Sequence, residues 1–239
     1  MIDFIKTYLK IISIVIVTIF FASLAIIVSI FDRSGKAYHW LGRRWAKILL
    51  IITGVKVITL GLENLKSEEN YVFVANHVSG FDIPVVMANI PGEIRIVFKK
   101  ELTKIPVFGW QLRIGPYILI DRENPTKAME SLEKAKKKIE KGASVLLFAE
   151  GTRSKDGNIQ PFKRGAFTLA TRSGKKIVPL TIKGTFEILP KKKFRIKPGL
   201  VKLIIDKPIE HNGQTDKKSE IELMEKVRNI IIKNYYSEV

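Results

Sequence analysis

The chain has 239 residues, 46% of them hydrophobic and 27% charged, which suits one globular domain with an appendage and excludes a disordered or collagen-like chain. It contains no cysteine, so a disulfide framework, a thiolate zinc site, an iron–sulfur cluster and a cysteine nucleophile are excluded. Lys and Arg number 41 against 23 Asp and Glu, a formal charge of +18, which points to nucleic acid, anionic lipid or phosphorylated small molecules as partners. Thirty of the cations are lysines, so part of this charge reads as a solvated surface, a composition that also fits a heat-adapted source. The three histidines, His39, His77 and His211, leave little room for a histidine-rich metal centre.

Residues 11–30, IISIVIVTIFFASLAIIVSI, run for twenty positions without a charge. At about 1.5 Å per residue this is about 30 Å, the thickness of a bilayer's hydrocarbon core, and it predicts a retained membrane helix. A signal peptide is the competing reading, since Lys6 and Lys10 precede the run, but its apolar region would be too long and no small-x-small cleavage site closes it. Arg33, Lys36, His39, Trp40, Arg43, Arg44, Trp45 and Lys47 follow, and rings and cations together suit the headgroup layer. A second apolar stretch begins at Ile48 to Ile52 and ends near Gly54. The two stretches form either a helical hairpin or one span followed by an interfacial helix, and the first either crosses the bilayer or enters one leaflet. The heavier cation load after the first helix places the rest of the chain on the cytoplasmic side of the cell membrane. The expected division is residues 1–58 as membrane-anchoring helices and residues 59–239 as the catalytic domain.

Beyond the anchor, strand and helix alternate. Strands are expected at Tyr71 to Ala75, Arg95 to Phe98, Tyr117 to Ile120, Val145 to Phe148, Ile177 to Ile182 and Val201 to Ile205. Helices are expected at Asp82 to Asn89, from Asn124-Pro125 to a stop at Gly142, at Gly165 to Thr171, and at Ser219 to Tyr235. This alternation predicts an α/β fold: a single domain with a mainly parallel central sheet flanked by helices, preceded by the hydrophobic helical membrane motif.

In open α/β sheets, sites form beyond the carboxyl ends of strands, and three strand ends here carry the unusual polar residues. YVFVA runs into Asn76-His77, YILI into Asp121-Arg122, and VLLFA into Glu150-Gly151-Thr152-Arg153. His77 and Asp82 are five residues apart, about 140° apart on an ideal helix and on opposite faces of a strand, so they meet only if the chain turns between them. Ser79-Gly80 supplies that bend. A carboxylate on one imidazole nitrogen fixes the tautomer and leaves the other nitrogen as a general base; the plainer reading of Asp82 is a helix N-cap. In the Glu150–Arg153 segment, Gly151 permits close backbone approach, the Thr152 hydroxyl can bond phosphate oxygens and Arg153 can grip a phosphate with two parallel hydrogen bonds. Glu150 either orders the arginine or accepts from a substrate hydroxyl; the plain alternative is a surface turn with Arg153 paired to Glu150.

Taken in order, NHVSGFD (76–82), GPYILIDR (115–122), FAEGTRS (148–154) and IVPL (177–180) resemble the four blocks of the glycerolipid acyltransferases, most nearly the bacterial 1-acylglycerol-3-phosphate acyltransferases. Lys99-Lys100-Glu101-Leu102 and Pro161-Phe162-Lys163 share the likeness, which spans roughly residues 60 to 185. Ala149 departs from the family, whose third block usually has proline there. The resemblance implies a membrane-bound enzyme of phospholipid biosynthesis. It would transfer an acyl group from a thioester, on acyl carrier protein or coenzyme A, to the sn-2 hydroxyl of lysophosphatidic acid, giving phosphatidic acid. It implies His77 and Asp82 as the catalytic pair. Arg122, Glu150, Gly151, Thr152 and Arg153 would bind substrate, Lys99 would be a further phosphate or oxyanion partner, and no metal or cofactor would be needed. Glycerol-3-phosphate or another lysolipid is the alternative acceptor.

The residues themselves support direct transfer: there is no cysteine and no G-x-S-x-G serine elbow to carry a covalent acyl-enzyme. A non-catalytic basic protein at anionic membranes, or one binding nucleic acid, explains the charge and the anchor but not His77 beside arginines at strand ends; no nucleic-acid partner is expected. A lipid hydrolase lacks a serine elbow or metal cluster. Nucleotide binding lacks G-x-G-x-x-G, and Gly174-Lys175-Lys176 has neither the upstream glycine nor the following Ser or Thr. An apolar groove for the acyl chain is expected around Phe98, Phe108 and Trp110.

Overall fold

The computed structural model describes residues 2–121, 125–191, 195–211, 213 and 216–237. The chain opens with two helices, α1 (Ile2–Phe31) and α2 (Lys36–Thr53), which pack against each other as a hairpin. Gly54, at φ 75°, ends α2 in the left-handed conformation, its N–H turned back onto the carbonyls of Leu50 and Ile51. The next residue already belongs to the sheet.

Among the described residues, seven strands form one sheet: β1 (Val55–Leu60), β2 (Val72–Ala75), β3 (Ile94–Lys99), β4 (Ile118–Ile120), β5 (Ser144–Phe148), β6 (Ile177–Lys183) and β7 (Gly199–Ile205). Their order is β1-β7-β6-β2-β5-β3-β4. Every neighbouring pair is parallel except β6 and β7. The helices between and after them are α3 (Asp82–Asn89), α4 (Phe108–Ile114), α5 (Pro125–Glu140), α6 (Gly165–Ser173), α7 (Thr185–Ile188) and α8 (Lys217–Tyr236). The expected α/β class with a mainly parallel sheet is the one observed.

The sheet is covered on both faces, which is why its central strands read as unbroken apolar runs. Alternate residues of β2 serve the two layers. Phe73 and Ala75 join Ala46 and Leu50 of α2 and Val85 and Val86 of α3 in one core. Val72 and Val74 join Leu132 and Ile139 of α5, Phe167 of α6 and Val227 of α8 in the other. β2 therefore sits in the middle of the sheet, with β5 on one side and β6 on the other. The connections leaving its carboxyl end open a crevice there.

Three expectations need correcting. β1 was not expected as a strand, and the boundary at residue 58 falls inside it; β1 pairs along its length with β7, so the sheet begins at Val55. Its one clear polar signal, Lys56, lies on an edge strand with one face exposed. Of the three polar strand ends, those of β2 with His77 and β5 with Arg153 are neighbours, whereas β3 lies between β5 and β4, whose end carries Asp121. Finally, α4 and α7 are short helices that no periodic pattern announces.

Candidate active site

The residue after β2, Asn76, is fully buried and clasps the neighbouring strand: its side-chain NH2 donates to the Ile182 carbonyl (2.9 Å) and its oxygen accepts from the Ile182 N–H (2.8 Å). An amide side chain here mimics a backbone pair and continues the β2–β6 ladder by one step. His77 is thereby delivered at the edge of the crevice.

The chain then turns back on itself around Asp82, the first residue of α3 and fully buried. Oδ2 of Asp82 accepts from the N–H of Val78 (2.8 Å) and of Ser79 (2.9 Å) and lies 2.7 Å from Nδ1 of His77. Its other oxygen accepts from the Thr185 hydroxyl at 2.6 Å. A carboxylate can only accept, so the imidazole must carry its proton on Nδ1 and present the Nε2 lone pair to the cavity that the ring lines. The ring stacks on Phe148, at the end of β5, with centroids 4.1 Å apart and planes 22° apart. The turn foreseen at Ser79-Gly80 is present, and the plain capping alternative for Asp82 is too small a role for four hydrogen bonds.

The second strand end, after β5, lies alongside. Glu150 is 2% exposed; its Oε1 accepts from the His77 N–H (2.6 Å) and its Oε2 from the Gln160 N–H (3.0 Å). It neither pairs with Arg153 nor lines the cavity, so its place is under the His77 loop. Burial pushes its carboxyl up to about 7, against the pull of those two N–H groups and with a smaller push from the Asp82 charge. Gly151 turns the chain at φ 72°, and a Cβ there would sit 3.1 Å from the Lys163 side chain. Like Glu150, it shapes the loop from behind. Ser154 N–H donates to the His77 carbonyl at 2.8 Å, locking the two loops together.

Thr152 and Arg153 do face the cavity, as does Lys99 at the end of β3. The Arg153 guanidinium lies against the His77 turn: a Cβ on Gly80 would be 3.4 Å from Nη1. Lys99 is more exposed and pairs with Glu101 at 3.3 Å. Arg122 lies outside the described residues; its neighbour Asp121 is bonded to Lys100 at 2.9 Å. Sequence reasoning passed over Thr185 and Lys191. Lys191 lines the cavity from the connection between α7 and β7, and its Nζ donates to Thr152 Oγ1 (3.1 Å) and to the Arg153 carbonyl (2.8 Å). In the sequence it opens a run of three lysines, which looks like any solvated charge tract.

The cavity has a volume of about 460 Å³ and two unlike ends. At the mouth stand His77, Thr152, Arg153, Lys191 and Lys99. The rest of the lining is mostly apolar, with Phe21, Ala22 and Ala25 of α1, Leu41 and Trp45 of α2, Met87 of α3, Ile96 and Phe98 of β3, and Phe108 and Leu112 of α4, interrupted by Thr18, Tyr38, Gln111 and Tyr117. Phe98 and Phe108 take the expected part, whereas Trp110 points away and is 55% exposed. No cluster of metal-ligating side chains occurs among the described residues. The site can orient an imidazole base beside an anion and an aliphatic chain.

The Acyltransferase family model matches residues 56–183, which hold both loops. The chain is 38% identical over 185 residues to the chloroplastic 1-acyl-sn-glycerol-3-phosphate acyltransferase BAT2 of Brassica napus, covering 76% of this chain and 53% of that one. It is 32% identical over 204 residues to the 1-acyl-sn-glycerol-3-phosphate acyltransferase of Limnanthes douglasii, covering 84% and 70%. It thus spans about half the length of the Brassica relative. Its fold is similar to the crystal structure of the 1-acyl-sn-glycerophosphate (LPA) acyltransferase PlsC from Thermotoga maritima, with a TM-score of 0.80 and 25% identity over 97% of this chain and 94% of that one. On the match of residues 56–183 and these relatives, the chain belongs to the acyltransferase family.

Proposed function

We propose that the protein transfers a fatty acyl group from an acyl thioester to the sn-2 hydroxyl of 1-acyl-sn-glycerol 3-phosphate, giving phosphatidic acid for phospholipid synthesis. The observation that carries this reading is the His77 Nδ1–Asp82 Oδ2 contact of 2.7 Å in a cavity with a cationic mouth and a mostly apolar lining. Relatives named as 1-acyl-sn-glycerol-3-phosphate acyltransferases support it. A non-catalytic basic membrane protein would have no use for such a buried pair.

The acceptor hydroxyl binds with its proton toward Nε2 of His77 and its phosphate on Arg153. As the oxygen attacks the thioester carbonyl carbon, Nε2 takes the proton and the buried Asp82 carboxylate stabilises the imidazolium. The tetrahedral intermediate collapses with cleavage of the carbon–sulfur bond, and the departing sulfur takes the proton back from His77 as a thiol. An ester has formed, a thioester has broken, and the imidazole is neutral again. With no cysteine in the chain, the acyl group passes directly between substrates. The donor is acyl carrier protein or coenzyme A, and no further cofactor enters these steps.

The location follows the same logic. α1 is long and apolar enough to cross a membrane by length and composition, yet one side of it is committed to the protein. Ile11 and Ile14 pack on the main core, Thr18 Oγ1 accepts from the Trp45 indole at 3.0 Å, and Lys10 donates to the Thr53 carbonyl at 3.0 Å. Leu9, Ile12, Ile16, Phe20 and Ile27 on the other side are each more than half exposed. We infer that α1 lies in one leaflet with this outer face in lipid, the cationic domain resting on the anionic cytoplasmic surface.

The test is product formation by the detergent-purified protein. It is offered labelled lysophosphatidic acid, glycerol-3-phosphate or a phosphate-free lysolipid, each with acyl-coenzyme A and with acyl carrier protein. Phosphatidic acid from lysophosphatidic acid is expected; equal or better use of another acceptor overturns the acceptor assignment.

A further inference from the structure

Lys191 stands at the mouth of the cavity but outside the family's matched region, which ends at residue 183. The segment that carries it reaches across the site. The Leu189 carbonyl accepts from the Ser79 hydroxyl at 2.9 Å, on the turn that holds His77 to Asp82. Two residues on, the Lys191 ammonium bonds Thr152 Oγ1 and the Arg153 carbonyl, at 3.1 and 2.8 Å. One short stretch thus ties together the loop of the base and the loop of the anion clamp.

The electrostatics point the same way. Among the described residues, the cavity lining contains Lys99, Arg153 and Lys191 and no Asp or Glu. A phosphomonoester carries about 1.5 to 2 negative charges near neutral pH, more than one guanidinium balances. Lys99 already shares its charge with Glu101 at 3.3 Å, and its side chain is 54% exposed. Lys191 is anchored directly on Thr152 and Arg153, both of which line the cavity.

We propose that Lys191 is a further cation of the phosphate site, binding the acceptor's phosphate beside Arg153, and in addition to the Arg122 expected there, while holding the Thr152–Arg153 loop in its binding conformation. The proposal rests on the phosphorylated-acceptor reading above. It adds a specificity residue that the four blocks do not contain.

The test uses the full chain in detergent as wild type, Lys191→Met and Lys191→Arg. Methionine keeps the length of the stem and removes the charge; arginine keeps the charge. Two quantities are read for each: kcat and KM with lysophosphatidic acid, and the inhibition constant of its analogue lacking the sn-2 hydroxyl, which binds without reacting. Loss of a charge-assisted contact in Lys191→Met should raise acceptor KM and the analogue's inhibition constant together by about tenfold to hundredfold. The donor KM should stay within about twofold, and Lys191→Arg should recover most of the loss. A fall in kcat with both KM values moving, unrescued by arginine, would make Lys191 a structural strut and overturn the proposal. Unchanged acceptor KM and inhibition constant in Lys191→Met, with a normally active wild type, overturn it too and leave the acceptor reading standing. A wild type that neither binds the analogue nor forms phosphatidic acid removes the acceptor reading and this role with it.

Discussion

Asp82 shows how much one buried carboxylate can organise. Three donors converge on Oδ2, from His77, Val78 and Ser79, and a fourth, the Thr185 hydroxyl, is on Oδ1. An asparagine at this position can keep its oxygen toward the three donors and turn its NH2 to Thr185, whose hydroxyl can accept as well as donate. Asp82→Asn should therefore keep the fold and the His77 tautomer but lose the charge that stabilises the imidazolium. We expect kcat to fall by about two to four orders of magnitude with little change in melting temperature. Asp82→Ala leaves four buried donors without an acceptor and should destabilise the protein by at least about 3 kcal/mol in denaturant unfolding. An Asp82→Asn enzyme of near-normal rate would reduce Asp82 to an anchor of the turn. The spacing of His77 and Asp82 was legible in the sequence because only a turn can bring them together. The place of Glu150 was not, because nothing in EGTR tells which way the carboxylate points. Its raised carboxyl, about 7 against an ordinary 4.5, gives a second expectation. An acid held up by folding binds its proton more tightly folded than unfolded, so its stabilisation is complete below about pH 4.5 and is lost as pH rises through about 7. The melting-temperature advantage of wild type over Glu150→Gln should shrink between about pH 5 and about pH 8; a constant difference would mean that Glu150 is not perturbed.

At the scale of elements, strands buried on both faces announced themselves as apolar runs, and α3 starts and stops where its residues suggested. β1 was missed because only Gly54 separates it from the second apolar stretch and Lys56 interrupts the pattern. α4 was missed for a different reason. It starts from Val107 at φ 61° and ψ −60°, with Phe108 N–H donating back to the Pro106 carbonyl at 2.6 Å. This is a strained three-residue turn that a β-branched side chain normally avoids. The turn starts the helix that carries Phe108, which lines the cavity as expected, but no local pattern announced the helix itself. α1, which packs against α4, forms another wall, where Ala22 and Ala25 are small and buried. Ala22→Phe should therefore shorten the longest acyl chain the enzyme uses. Two methylenes left unhoused cost about 1.6 kcal/mol, about tenfold in kcat/KM for the longest chains relative to shorter ones. A uniform loss across chain lengths would place the acyl chain elsewhere.

Across the whole molecule, the helical hairpin walls the cavity on one side and, in the proposed arrangement, turns its other side to lipid. The apolar run and the basic, aromatic residues after it are what the sequence offers toward membrane contact. The packing of α1 along the domain was not legible, since a helix apolar on all sides gives no hint of which side its own protein will cover. Replacing Ile16 and Phe20 on the outer face by serine should weaken co-sedimentation with anionic vesicles while leaving transfer in detergent near wild type. Loss of detergent activity as well would mean that this face is part of the chamber.

In the proposed reaction His77 is the base. In His77→Ala, Asp82 keeps its bonds to Val78, Ser79 and Thr185, so the loop should hold its shape. The decisive measurement is the single-turnover rate of phosphatidic acid formation by His77→Ala beside wild type, with binding of the unreactive lysophosphatidic acid analogue measured on the same preparations. We expect the rate to fall by at least about two orders of magnitude while the analogue binds as before. Turnover near the wild-type rate with binding intact would contradict the mechanism.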